Sequence, residues 1–170
     1  MEETITPRPI IHRCFTHVRP GGYFNGAFGG LGTGLGTALG VKAARPADLV
    51  VCLIGDGAFS YDPALAALAA CTEHGLPILI VVYDDRGYRS QQRTVPRYFP
   101  DGFVAAQVAA DGLSFDPPPD YAAIAVAMGG HGALVERPDG IGSAVAGALA
   151  AIDEGRFALL DMQLVPVGRR

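Results

Sequence analysis

Two runs of consecutive apolar residues constrain the fold of this chain more than any other feature of its sequence. They occupy residues 49–54 and 77–83, and neither alternates with polar residues. Uninterrupted apolar runs of this length are typical of strands that helices cover on both faces, as in parallel sheets. Each run therefore predicts a buried strand.

An Ala- and Leu-rich segment between the two runs, residues 63–74, predicts a helix. Asp62 is placed to cap this helix, Pro63 stands in its first turn and Gly75 suits its end. A strand, a helix and a second strand in this order predict two parallel strands joined by a right-handed crossover.

The same alternation continues more weakly through the rest of the chain. Asp120 is placed to cap a helix, and the predicted elements are helices at 121–128 and 141–153 and strands at 132–136 and 157–165. Alternating strands and helices predict an α/β fold, a doubly wound and mostly parallel sheet with helices on both faces. A length of 170 residues suits one domain, residues 1–170.

Residues 86–119 show no strong period, and the segment is long for a plain connection. We expect an irregular segment that contacts the active site or a partner. Within it, Gln91 and Gln92 could hydrogen-bond a substrate or lie on a solvated helix.

Composition excludes several classes of protein. The net charge is −4, so the chain lacks the basic surplus needed to bind a nucleic acid backbone. No signal peptide and no apolar run of about 20 residues is visible, which predicts no membrane segment. Cys14, Cys52 and Cys71 have no metal-binding spacing and are expected to be reduced thiols, which predicts a cytoplasmic protein.

A glycine-rich segment, residues 29–36, resembles a dinucleotide-binding fingerprint only at first sight. The G-x-G-x-x-G pattern fails in every frame, the segment precedes the strand at 49–54 instead of following a strand, and it contains no G-K-[ST]. On pattern alone, a helix of small residues packed closely against another backbone stays open.

Carboxylates follow both apolar runs. Gly55-Asp56-Gly57 ends the first, and Asp84-Asp85-Arg86-Gly87-Tyr88 ends the second. Ligands of open α/β sheets bind outside the carboxyl ends of the strands, and two carboxylates there suit Mg²⁺ or Ca²⁺ carrying a phosphate. Each motif alone could instead be a turn: a plain strand-to-helix turn for the first, and a solvated acidic turn with Arg86 as counter-ion for the second.

The pair of motifs resembles the thiamine diphosphate motif, a GDG sequence followed one strand–helix unit later by an Asn. Here 27 residues, 58–84, separate Gly57 from Asp85. Nearly the whole chain is similar to the C-terminal, diphosphate-binding domain of the acetolactate synthase, benzoylformate decarboxylase and pyruvate decarboxylase group. Further similar segments are residues 3–7, 20–24, 28–32, 55–59 and 75–77. Residues 3–7 resemble the turn after the domain's first strand, so we expect that strand to be lacking.

The resemblance implies the residues of a cofactor site. Three groups would hold a Mg²⁺ ion on the cofactor's diphosphate, namely the side chains of Asp56 and Asp85 and the carbonyl of Gly87. Groups that would contact the phosphates are the backbone amides of Gly57, Ala58, Phe59, Gly87 and Tyr88 and the hydroxyls of Thr4 and Thr6. A carbonyl near Gly29 would meet the cofactor's 4′-amino group, and Leu31 would hold the cofactor in its bent shape.

The chain departs from the family pattern in its acidic pair. Asp84-Asp85 stands where the family has Asn-Asn. The added negative charge beside a diphosphate should weaken cofactor binding or raise its dependence on Mg²⁺, and Arg86 could offset part of this. Ala58 replaces a Ser found in many members, which keeps the amide and loses a hydroxyl.

The resemblance implies a split enzyme. In the family, the catalytic Glu lies in a separate pyrimidine-binding domain, so we assign no catalytic residue to this chain. We expect the diphosphate- and Mg²⁺-binding subunit of an acetolactate synthase-like decarboxylase or carboligase of 2-keto acids. A partner subunit, in a hetero-oligomer expected to be a heterotetramer, would supply the pyrimidine domain. The alternatives are a non-catalytic regulatory or scaffolding subunit with the same fold, and a stand-alone nucleotide or phosphate binder.

Overall fold

A computed structural model describes residues 1–15, 19–26, 29–106 and 112–164. Its elements follow one another in the order β1 (Glu2–Glu3), α1 (Arg8–Cys14), α2 (Gly34–Ala44), β2 (Val51–Gly55), α3 (Asp56–Tyr61), α4 (Ala64–Glu73), β3 (Leu79–Asp84), α5 (Arg89–Tyr98), α6 (Phe103–Ala106), α7 (Tyr121–Ala127), β4 (His131–Val135), a 3-10 turn (Pro138–Gly140), α8 (Ile141–Asp153) and β5 (Ala158–Gln163).

The five strands form one sheet in the order β1-β2-β3-β5-β4, and every neighbouring pair is parallel. The α/β prediction with a parallel sheet is confirmed. In the register between β2 and β3, Gly55 lies opposite Tyr83. The carboxyl ends of the two predicted strands therefore meet at one edge, and the residues that follow them are brought together there.

Two hydrophobic clusters cover the two faces of the sheet. On one face, α2, α3, α4 and α7 pack against strand residues such as Ile54 and Ile80. On the other face, α8 packs Ala148 and Ala151 against Leu79. Leu79 and Ile80 are neighbours in β3, and successive side chains of a strand point to opposite faces. Burial on both faces explains why the apolar runs do not alternate.

Helix capping was predicted correctly at one helix and wrongly at another. Asp120 accepts a hydrogen bond from the amide of Ala123 at 2.7 Å, so it caps α7 as predicted. Asp62 does not cap α4, because Pro63 is the N-cap residue and Asp62 instead ends α3. The prediction was wrong because the short helix α3, which directly follows β2, had not been anticipated.

Three further regions differ from the predictions or extend them. Much of the segment predicted to be irregular is helical, since α5 and α6 lie within it, whereas its residues 107–111 are outside the described ranges. A two-residue strand, β1, pairs with β2 at the sheet edge where a first strand was expected to be lacking. The final strand is described to residue 163, and the last predicted position, 165, is outside the described ranges.

Close packing does not explain two of the glycines inside α2, Gly36 and Gly40. A Cβ built at Gly36 or Gly40 would meet no atom within 4 Å beyond the helix's own neighbouring backbone. The interpretation of this segment as a small-residue helix packed closely against another backbone is therefore wrong at these two positions. Within the described ranges, no helix has the length and apolar character needed to cross a membrane.

Candidate functional site

A small cavity of about 50 Å³ opens where the carboxyl ends of β1, β2 and β3 meet. Its lining contains nine of the eleven residues that the sequence analysis singled out for metal or cofactor binding, namely Thr4, Thr6, Leu31, Asp56, Gly57, Ala58, Asp85, Gly87 and Tyr88. Phe59 and Gly29 are not part of this lining. A larger cavity of about 480 Å³, beside β1 and β2, contains none of the eleven.

Asp56 connects the two predicted motifs. It is the first residue of α3 and is only 2% exposed. Its Oδ1 accepts a hydrogen bond from the amide of Gly57 at 2.8 Å, and its Oδ2 accepts one from Gly87 at 2.7 Å. The GDG motif is thus a strand-to-helix turn, as one interpretation predicted, and it also points a carboxylate at the loop after β3.

The charge of Asp56 is poorly compensated by the residues around it. Burial, and then the nearby carboxylate of Asp85, raise the pKa of Asp56 to about 8, although the Gly87 and Gly57 amides oppose the shift. A buried carboxylate next to a second one is stabilised most effectively by a cation. The electrostatics of this pair favour a bound metal ion.

Asp85 is also partly buried, and it lies beside positive charge. Burial raises its pKa to about 6, while the charges of Arg89 and Arg93 in α5 oppose that rise. The Arg89 Nε donates to the Asp85 carbonyl at 2.6 Å, which holds the first turn of α5 against the acidic loop. We had expected Arg86 to offset part of the negative charge of this loop. The positive charge beside Asp85 comes instead from Arg89 and Arg93 in α5.

The side chains of the consecutive residues Asp84 and Asp85 lie in different surroundings. Asp84 ends β3, is 1% exposed and does not line the cavity; its Oδ1 accepts a hydrogen bond from the Arg86 amide at 2.9 Å. The Arg86 guanidinium forms no ion pair with any residue in the described part of the chain. A solvated acidic turn with Arg86 as counter-ion is therefore the wrong interpretation of this motif.

Gly87 brings the acidic loop into contact with Leu113 and Ser114, which belong to the segment expected to contact the active site or a partner. Its φ of +131° is unfavourable for other residues, and a Cβ there would lie 2.3 Å from the Leu113 carbonyl oxygen. The Tyr88 amide donates to the same carbonyl at 2.9 Å. Gln92 donates to Leu113 and Ser114, at 2.8 and 3.0 Å, so it supports the loop, whereas Gln91 is exposed.

The predicted phosphate-binding residues differ in how available they are. Both the amide and the hydroxyl of Thr4 donate to Glu2 Oε1. The Thr6 hydroxyl has no hydrogen-bond partner among the described residues, so it is the more available donor of the two. Phe59 packs into the core against Tyr121, with ring centroids 5.3 Å apart, which leaves only its backbone for ligand contact.

The two residues proposed to shape the cofactor lie on different sides of one loop. Leu31 lines the cavity and packs against the larger core cluster. Gly29 is exposed, with a φ of +66°, and does not reach the cavity in this structure. Leu31 is therefore placed for contact with a ligand in the cavity, and Gly29 is not.

Two buried acids on β1 were missed by the sequence analysis. Burial disfavours the charged form of Glu2, but hydrogen bonds from Thr4, Tyr23 and Arg8 lower its pKa to about 2. Its Oε2 accepts from the Tyr23 hydroxyl at 2.6 Å, and its Oε1 accepts from the Arg8 Nε at 3.1 Å. Glu3 accepts hydrogen bonds from the backbone amides of Thr33 and Gly34 at the start of α2. The only sequence signal was their position just before the Thr4–Thr6 segment.

The donor set fits Mg²⁺ attached to a phosphate. Asp56 and Asp85 provide two carboxylates, and Gly87 provides a carbonyl in the same cavity lining. In the described part of the chain, no three His, Cys, Asp or Glu side chains come together as a metal site. An oxygen-only set with few protein ligands is typical of Mg²⁺, which takes its remaining ligands from water and substrate phosphates.

Comparisons with known proteins show the family of the chain. The family model described as "Thiamine pyrophosphate enzyme, C-terminal TPP binding domain" matches residues 8–162. Sulfoacetaldehyde acetyltransferase of Castellaniella defragrans is 27% identical over 110 residues, which are 65% of this chain and 17% of that protein. In thiamine diphosphate-dependent 4-hydroxybenzoylformate decarboxylase of Rhodococcus jostii RHA1, the match has a TM-score of 0.70 and 28% identity, and it covers 84% of this chain and 25% of the other.

The fold is also that of benzoylformate decarboxylase from Polynucleobacter necessarius, with a TM-score of 0.75 and 24% identity. That match covers 96% of this chain and 29% of the decarboxylase chain. The chain thus spans between 17% and 29% of the length of these three proteins.

Proposed function

The chain belongs to the thiamine pyrophosphate enzyme family through its C-terminal cofactor-binding domain, and on this premise we propose that it holds the Mg²⁺ and the diphosphate of thiamine diphosphate in an enzyme acting on a 2-keto acid. One observation carries the proposal. Asp56 and Asp85, 29 positions apart in the sequence, line one cavity together with Gly87.

Each residue of the cavity has a role in this proposal. Asp56, Asp85 and the Gly87 carbonyl hold the metal ion. The backbone amides from Gly57 to Phe59 and at Gly87 and Tyr88, with the Thr6 hydroxyl, would bind phosphate oxygens; without a ligand, the Gly57 and Gly87 amides donate to Asp56 and the Tyr88 amide donates to Leu113. Thr4 lines the same cavity.

Leu31 would support the organic part of the cofactor, and the carbonyl near Gly29, which is not part of the cavity lining here, would meet its 4′-amino group. The bound cofactor supplies the stabilisation of carbanions, and the protein supplies binding and orientation.

The acid that activates the cofactor is proposed to come from a pyrimidine-binding domain outside these 170 residues. Glu2 and Glu3 are buried and already hydrogen-bonded to the chain itself. Glu73, Glu136 and Glu154 are exposed and do not line the cavity. We propose that a partner subunit in a hetero-oligomer contributes this domain.

Decarboxylation of a 2-keto acid is the first candidate reaction, and it is supported by the likeness to the decarboxylase of Rhodococcus jostii RHA1, which is 28% identical and covers 84% of this chain. Carboligation of the acetolactate synthase type and acetyl transfer begin on the same cofactor and remain the second candidate.

Binding of thiamine diphosphate tests the proposal directly. We expect calorimetric titration of the chain, purified with its co-purifying partner, to show binding that requires Mg²⁺ and is lost with a chelator. The complex should release CO₂ from a panel of 2-keto acids. No binding at millimolar Mg²⁺ contradicts the proposal, and a partner that alone is as active as the complex favours the non-catalytic alternative.

Asp85→Asn should keep the cofactor site and make it less dependent on Mg²⁺. The amide oxygen remains a metal ligand, while one negative charge beside the diphosphate is removed. We expect the Kd for thiamine diphosphate to fall by a few-fold, about 1 kcal/mol, at limiting Mg²⁺. Asp84→Asn, whose side chain lies outside the cavity, is the matched control and should change the Kd less. Loss of binding in Asp85→Asn would show that the site needs the full carboxylate charge.

A further inference from the structure

The first turn of α2 lies close to two buried acidic residues, Glu3 and Asp62. Glu3 Oε2 accepts a hydrogen bond from the Gly34 amide at 2.8 Å. Its Oε1 accepts from the Thr33 amide at 3.2 Å and from the Thr33 hydroxyl at 3.3 Å. A Cβ at Gly34 would lie 2.6 Å from Glu3 Oε2, so only a glycine allows this contact.

Asp62 approaches the same turn from the end of α3. A Cβ at Gly32 would lie 3.2 Å from the Tyr61 carbonyl oxygen and 3.8 Å from the Asp62 amide nitrogen, so the two backbones are in contact. Asp62 is 6% exposed, and neither of its carboxyl oxygens has a hydrogen-bond partner among the described residues. A buried carboxylate without donors is costly unless it carries a proton.

We propose that Glu3 and Asp62 are positioning residues for the Leu31 side of the cofactor cavity, and that they hold the first turn of α2 through one proton that they share. The proposal rests on the proposed cofactor function, because Leu31 matters only if the cavity holds the cofactor.

The proton resides on Asp62. Glu3 accepts three hydrogen bonds, whereas Asp62 accepts none at normal geometry. Burial, and then the charge of Glu3, raise the pKa of Asp62 to about 7, with the Leu35 amide opposing the shift. The Cys52 thiol is the other titratable group facing this pair. A protonated Asp62 can donate to Glu3 a short, charge-assisted hydrogen bond.

The pair is connected to the cavity from both sides. Thr4, the residue after Glu3, lines the cavity, and so does Leu31, two residues before Thr33. When Asp62 loses its proton, two negative charges face each other across the turn. The turn then loses the bond that closes it, and Leu31 loses its fixed position.

The cofactor test compares the wild type with Asp62→Asn, whose amide still donates to Glu3 but does not titrate. The Kd for thiamine diphosphate at saturating Mg²⁺ is measured from pH 6 to pH 8.5. We expect the ratio of the wild-type Kd to the variant Kd to rise about tenfold across this range, with its midpoint near pH 7. Asp153→Asn, an exposed change at the end of α8, should leave the ratio flat.

A second measurement needs no cofactor. Infrared difference spectra of the chain, wild type minus Asp62→Asn, should show a protonated carboxyl band at pH 6 that disappears with a midpoint near 7. No such band overturns the shared proton. If the band is present but the Kd values of the wild type and of Asp62→Asn depend on pH in the same way, the positioning role is overturned. If the wild type binds no thiamine diphosphate at any pH, the proposed function fails, whereas the infrared result still stands alone.

The stability of the chain should follow the same proton. The pKa of Asp62 is higher in the folded chain than its ordinary value of 3.8, so protonation favours folding. This contribution is present at low pH and is lost as the pH rises from about 4 to about 7. The unfolding midpoint in urea of Asp62→Asn, relative to the wild type, should therefore increase over that range and stay constant above it. A difference that is independent of pH contradicts the assignment.

Discussion

Asp56→Asn should abolish Mg²⁺-dependent binding of thiamine diphosphate, with a Kd at least about 100-fold higher than that of the wild type. The reason is that Asp56 is the most buried carboxylate of the cavity and the one that contacts both motifs. Changes to groups that merely orient metal ligands already cost about 10- to 100-fold in affinity, so loss of the ligand charge itself should cost at least as much.

The same variant should fold at least as stably as the wild type without cofactor. The Asn oxygen can still accept a hydrogen bond from the Gly87 amide, and above about pH 8, the raised pKa of Asp56, the substitution removes a buried charge, which outweighs the hydrogen bond that the Gly57 amide loses. Calorimetric titration measures the binding, and urea unfolding measures the stability. The control is Asp153→Asn, which removes an exposed carboxylate. Full affinity in Asp56→Asn would contradict the site, and loss of both binding and stability would indicate a purely structural residue.

Gly87→Ala should cost about 3 kcal/mol or more of stability and remove cofactor binding as well. Its Cβ would lie 2.3 Å from the Leu113 carbonyl oxygen, and its φ of +131° disfavours alanine. Because the neighbour is backbone, the loop itself must move, and this displaces the amide that bonds Asp56. Overpacking and backbone strain of this kind belong to the largest effects of single substitutions.

Gly155→Ala separates the effect of the positive φ from the effect of the steric clash. Gly155 also has a positive φ, +83°, but a Cβ there would meet nothing within 4 Å. This control should cost only about 1 kcal/mol, from the backbone conformation alone. Equal losses in the unfolding free energy of both variants would contradict the tight contact between Gly87 and Leu113.

The strands could be predicted because their signal is local. The runs at 49–54 and 77–83 contain only apolar residues, and the structure places β2 and β3 within or close to them. Helix α8 was predicted with its observed bounds, 141–153. Helix α3 was missed because its six residues are too few to show a period, and that error led to the wrong cap at Asp62.

The acidic loop shows where local information ends. Asp84 and Asp85 are adjacent and chemically identical; the order of the strands predicted Asp85 on the same edge as Asp56, and the family resemblance implied it as the ligand. The structure buries Asp84 away from the cavity and lines the cavity with Asp85. The balancing charges of Arg89 and Arg93 come from a helix that the sequence analysis had expected to be irregular.

By itself, the sequence determined the parallel sheet and the two acid-bearing strand ends, because apolar runs and chain order fix which segments are buried and where they stop. Only the tertiary structure decided which acid faces the cavity, and that Glu3 and Asp62 both lie at the start of α2. Neighbouring side chains of a strand point to opposite faces, so the direction of each depends on what packs there. Contacts between residues distant in sequence arise only when the sheet has formed.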